Sequence, residues 1–69
     1  MKKSDPSFEI KMDFNGKTYS AYYSISSGVV TLDSIYGQLS TQVGGSPTKF
    51  IARMLFREIL EAAHSRGEI

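Results

Sequence analysis

A histidine, seven carboxylates and a set of serines are the groups with which this chain could do covalent chemistry, and their spacing argues against it. His64 has Glu61 and Glu68 near it but no second histidine at helical spacing, so no metal-ligand set is spelled out. A nucleophilic serine needs a base within reach and a third group to orient that base, and no G-x-S-x-G elbow occurs. The expectation is a non-enzymatic protein, with no catalytic residue, no cofactor site and no metal site. In the last turn of a helix, a partly charged His64 simply complements the helix dipole.

Binding chemistry is better represented. Lys49, Arg53 and Arg57 recur every four residues along one edge of a predicted helix, with His64 on the same side. Lys49 and Arg53 fall in the first two turns, where a cation opposes the dipole, so local helix stability does not account for them. Arg57 and Glu61 have the spacing of an ordinary i,i+4 ion pair. Gly44-Gly45-Ser46 ahead of the helix offers successive backbone N–H groups to an anion. Its spacing is not that of a P-loop, Pro47 removes one donor, and a strand-to-helix reversal explains both glycines unaided. Tyr22 supplies an aromatic platform near the centre of a predicted sheet face that is otherwise rich in hydroxyls and lightly charged. These four residues, Lys49, Arg53, Arg57 and Tyr22, are the candidate partner or anion contacts.

The elements that must position them follow from the hydrophobic pattern. Phe8 to Phe14 alternates with the period of a half-buried strand, and Asn15-Gly16 is the strongest short-range hairpin signal because both central residues of a type I′ turn need positive φ. That turn sets Met12 opposite Tyr19, Ile10 opposite Ala21 and Phe8 opposite Tyr23. A second turn within Ser26-Ser27-Gly28 brings Val30 and Leu32 to the same face, whereas a slip by one residue would bury Thr31 and Asp33. A third turn at Tyr36-Gly37 adds Leu39, Thr41 and Val43, with Thr41 near Leu32 and Val43 near Val30. Ser46 is the expected N-cap of the helix, Pro47 its first residue and Gly67 its left-handed stop.

These elements predict an α+β fold, a four-stranded antiparallel meander with one C-terminal helix packed on one face, ββββα. Residues 1–6 are expected to be a mobile leader and residues 7–69 the domain. Ile51, Leu55, Ile59 and Ala62 form a continuous stripe on the helix, with Ala52, Phe56, Leu60 and Ala63 extending it to about half the circumference. A single sheet needs less than that, so Phe56 and Leu60 are expected to be left over for self-association.

A chain of 69 residues with no cysteine has one small core and no covalent staple. Domains of this size bury only about 60% of the surface exposed by their unfolded chains, and the core seldom yields more than roughly 3–5 kcal/mol of net stability. Self-association is one way to add to it. The formal net charge of +1 excludes a strongly acidic nucleic-acid mimic and a chain basic over its whole surface. Met1-Lys2-Lys3 is followed by Ser4-Asp5-Pro6 rather than an apolar segment, and no apolar run approaches a membrane span, which predicts a soluble cytoplasmic protein without a membrane partner.

The run Tyr36-Gly37, Ser40-Thr41-Gln42-Val43-Gly44-Gly45-Ser46-Pro47, Ala52-Arg53, Leu55 and Arg57-Glu58 resembles a pattern found in short uncharacterised bacterial proteins, and that resemblance carries no function with it. In order of elements alone, ββββα also resembles the dimeric single-stranded-DNA-binding coactivator domains, whose strands bear basic and aromatic residues. Here the strands bear Tyr22 and hardly any Lys or Arg. The functional expectation is therefore a small protein-protein interaction module, homodimeric and cytoplasmic, binding another protein. The alternative is a module for single-stranded DNA or RNA that uses the Lys49/Arg53/Arg57 ridge, with Tyr22 or Tyr36 as a stacking surface.

Overall fold

The computed structural model describes residues 7–69, so the expected leader at 1–6 lies outside the described residues. Its elements are β1 (Ser7–Phe14), β2 (Lys17–Ser26), β3 (Val29–Ser34), β4 (Gly37–Gln42) and α1 (Thr48–Ser65). The strands form one antiparallel sheet in the order β1-β2-β3-β4, and α1 packs against all four. This is the ββββα meander that the alternation predicts.

The first hairpin has the expected register, with Phe8, Ile10 and Met12 opposite Tyr23, Ala21 and Tyr19. Asn15 and Gly16 have φ of 50° and 83°, the left-handed pair that a type I′ turn requires. Ser27 and Gly28 repeat that geometry between β2 and β3. The third turn differs from expectation. Its tip is Ile35-Tyr36 rather than Tyr36-Gly37, so Leu32 faces Leu39 and Val30 faces Thr41. Ser34 holds it: its hydroxyl oxygen accepts from the Tyr36 N–H at 3.1 Å and donates to the Gly37 carbonyl at 3.0 Å. Because side chains alternate with period 2, this two-residue shift leaves Leu39 on the predicted face. Asp33 is exposed, as the register demands.

Two ends of α1 illustrate different physics. Gly44 and Gly45 both take positive φ, 65° and 95°, and reverse the chain after β4. The N-cap is Pro47, with φ −58° and ψ 134°, and no side chain caps the helix, so Ser46 does not have the role expected of it. The extended ψ of Pro47 delays the first helical residue to Thr48, and the Pro47 carbonyl accepts the first helical bond, from Ile51. At the other end Gly67 acts as predicted. Its N–H reaches the His64 carbonyl at 3.1 Å and the Glu68 N–H reaches Ala63 at 2.9 Å, the paired bonds of a Schellman stop.

The core lies between sheet and helix and consists of Ile10, Ala21, Val30, Leu32, Ala52, Leu55, Phe56, Ile59 and Leu60. Phe56 and Leu60 are fully buried, which overturns their assignment to a self-association patch. The helix is turned by somewhat less than one residue step of about 100° from the expected stripe. Phe56 lies near its centre and Leu60 toward one side, while Ile51 is only partly buried and Ala62 is exposed. The physical reason is size: the phenyl ring and the leucine remove more apolar area from water than Ile51 and Ala62 would.

Candidate interaction surfaces

The turn of the helix that buries Phe56 decides what it shows to solvent. Phe50 and Met54, one turn apart and on the far side from the core, are 55% and 47% exposed. They are the apolar surplus that the sequence pattern implied, carried by different residues. Their signal was present in the sequence: once Phe56 is at the centre of the buried face, positions 50 and 54 point away from it. Arg53 and Arg57 border this pair, and Arg57 Nε lies 3.2 Å from Glu61 Oε2. Neither Lys49 nor Arg53 takes part in an ion pair among the described residues.

On the β1 side, Arg53 and Arg57 overhang the end of the first hairpin. They share an open cleft of about 500 Å³ with Lys11, Asp13 and Asn15, floored by Met12 and Phe14. Three cations and one carboxylate make its charge positive, and Asp13 already accepts a 2.6 Å hydrogen bond from Thr18 Oγ1. Lys49 is exposed one turn before Arg53 and is not part of the cleft lining.

Tyr22 is elsewhere. It stands 53% exposed on the sheet face that no helix covers, and its cross-strand neighbours are Glu9 on β1 and Asp33 on β3. Two carboxylates beside the ring repel a phosphate backbone, and the thickness of the sheet separates the ring from the basic ridge. Ile35, 88% exposed, borders the same shallow depression. Tyr36 is partly buried, packed edge-to-face on Tyr19 with ring centroids 5.9 Å apart. The structure therefore brings Arg53 and Arg57 together with Lys11, and joins neither tyrosine to them.

The β4 side of the molecule has a different character. Here α1 runs back along β4 so that Ile59 lies over Gly37, where an added Cβ would be 3.9 Å from Ile59 Cγ2. A groove of about 320 Å³ follows this border, walled by Leu39, Ile59 and Ala62, with Glu58 and Arg66 at its rim. Arg66 is engaged by Glu68 through two 2.9 Å contacts. These hydrogen bonds hold the Glu68 carboxyl below its ordinary pKa and raise that of Arg66.

His64 is exposed, its ring set edge-on to Phe14 at 6.0 Å. Among the described residues no three His, Cys, Asp or Glu side chains gather as a metal site, and no helix is long and apolar enough to cross a membrane. No protein-family model, curated protein or solved structure matches the chain.

Proposed function

We propose that this chain is a small non-enzymatic protein-protein interaction module that works as a homodimer and presents the outer face of α1 to another protein. The observation that carries the reading is the Phe50/Met54 pair, two large apolar side chains half in water on a domain with few residues to spare for its core. Arg53 and Arg57 beside them suit a partner whose docking surface is apolar with an acidic border, since charge complementarity fixes orientation while the apolar anchors supply affinity.

The nucleic-acid reading has less support. The cations of the ridge line a cleft with Asp13, and the exposed tyrosine is flanked by Glu9 and Asp33 on another face. Single-strand binding draws on a basic groove and stacking aromatics that act together.

The test is affinity capture from lysate of the source organism at low and high salt, with the wild-type chain and a Phe50→Ser/Met54→Ser variant side by side. A stoichiometric protein partner retained at both salt concentrations by the wild type and lost by the variant is the expected result. A partner held equally by both chains would refute the assignment to this helix face. Micromolar binding of a single-stranded oligonucleotide at physiological salt, abolished by Arg53→Ala/Arg57→Ala, would favour the alternative instead.

A further inference from the structure

The two edges of the sheet are protected to very different degrees. An edge strand presents unpaired N–H and C=O groups that template pairing with another chain, and charges, prolines or bulges blunt it. β1 carries Glu9, Lys11 and Asp13, and the cationic flank of α1 stands beside it. β4, Gly37-Gln38-Leu39-Ser40-Thr41-Gln42, has no charge and no proline, and its register against β3 runs unbroken from Gly37 to Gln42.

Hydrogen-bond alternation identifies the open groups. The Val43 N–H bonds to the Gly28 carbonyl at 2.9 Å, so the residues of β4 that bond inward are those in phase with Val43, namely Thr41, Leu39 and Gly37. Gln38, Ser40 and Gln42 therefore turn their N–H and C=O groups away from the sheet. Those three positions are symmetric about Ser40.

We infer that β4 is the dimer interface: two copies of this chain pair their β4 strands antiparallel about a two-fold axis at Ser40, giving one continuous eight-stranded sheet. The inference rests on the homodimer reading above and assigns it a surface. Ser40 faces Ser40 of the second copy and Gln38 faces Gln42, so every outward backbone group in the strand finds a partner, about six hydrogen bonds across the axis. On the helix-covered side, Leu39 faces Thr41 of the second copy and Gly37 faces Val43. Gly37 has no side chain, and the groove beside it is walled by Ile59 and Ala62, so Val43 of the second copy has an apolar space to enter. On the outer face only amides and hydroxyls meet. A second copy fits better than a charged or irregular partner because the strand is self-complementary: its uncharged residues oppose one another at every position, and a two-fold interface uses the same patch twice.

The chain has no cysteine, so introduced ones report the register directly. Sedimentation equilibrium of the wild type should give twice the mass of one chain. Ser40→Lys and Ser40→Glu should each be monomeric at the same concentration, and an equimolar mixture of the two should return to the dimer. Under mild oxidation Ser40→Cys should form a disulfide-linked dimer, since directly opposed residues lie within bridging distance, while Gln42→Cys should not, because its two copies stand about 13 Å apart. The cysteine pair stands as a test even if the charged variants fold poorly. A dimeric wild type with no Ser40→Cys cross-link, or with Ser40→Lys still dimeric, would overturn the assignment to β4 and leave the homodimer reading standing. A monomer at high micromolar concentration would overturn both.

Discussion

Truncating Phe56 to alanine tests the packing scheme at its centre. The ring is fully buried between α1 and the sheet, among Ile10, Val30, Leu32 and Leu60. Losing a phenyl ring from such a site costs about 3–5 kcal/mol, the sum of lost transfer free energy and the cavity left behind. The core of a domain this small seldom supplies more than roughly 3–5 kcal/mol of net stability. Phe56→Ala should therefore be largely unfolded in water at 25 °C, without a cooperative urea transition by circular dichroism. The control is Phe50→Ala on the same helix, whose ring is more than half exposed and should cost no more than about 1 kcal/mol. If Phe56 were instead an interface residue, its removal would lower dimer affinity and leave the protomer folded. A folded Phe56→Ala within about 1 kcal/mol of wild type, or a Phe50→Ala as damaging, would refute the reasoning.

Three other outcomes are expected. Ser46→Ala should change urea-measured stability by less than about 0.5 kcal/mol, because its hydroxyl caps nothing, whereas loss of a working N-cap costs about 1 kcal/mol. The Glu68 carboxyl is lowered in pKa by its hydrogen bond from Arg66, so its contribution is present above its ordinary value of 4.5 and disappears as pH falls through the lowered one. Acid titrations should accordingly show a shallower stability loss below pH 4.5 in Glu68→Gln than in the wild type. Arg53→Ala/Arg57→Ala should keep the wild-type melting curve and leave any oligonucleotide signal weak and unaltered, read by fluorescence anisotropy across a salt series.

The strands were legible because alternation and Asn15-Gly16 act locally and agree with each other. The third turn lies one residue earlier than Gly37 suggests: the tip is Ile35-Tyr36, closed by the Ser34 hydroxyl, and Gly37 supplies its positive φ of 149° just after the tip rather than within it. Helix existence and its Gly67 stop were readable, but its rotation was not. Apolar residues span about half of its circumference, so the pattern permits several faces to be inward, and only the sheet's need to cover Leu32 and Val30 with the largest side chains selects one. That ambiguity is why Phe56 and Leu60 exchange places with Phe50 and Met54 as surface candidates. The separation of Tyr22 from Arg53 and Arg57 depends on which face α1 covers, a tertiary relation that spacing along the chain does not encode. The β4 edge was readable as sequence, yet its exposure required the strand order.

The order in which the layers occur along the chain also governs how the protein is made. Each hairpin closes through a two-residue turn and needs only residues already present. Sealing the molecule, by contrast, joins its two ends, as when the His64 ring reaches Phe14. During synthesis all four strands leave the ribosome before Phe56 and Leu60 do. Until α1 docks, the sheet displays Ile10, Ala21, Val30 and Leu32 to water beside the β4 edge. Hairpins form in about 1–10 μs while synthesis adds about 5–20 residues per second, so each hairpin can close before the next element has emerged. The species with its apolar face uncovered is consequently the sheet before α1 docks, and α1 is the element that completes the fold.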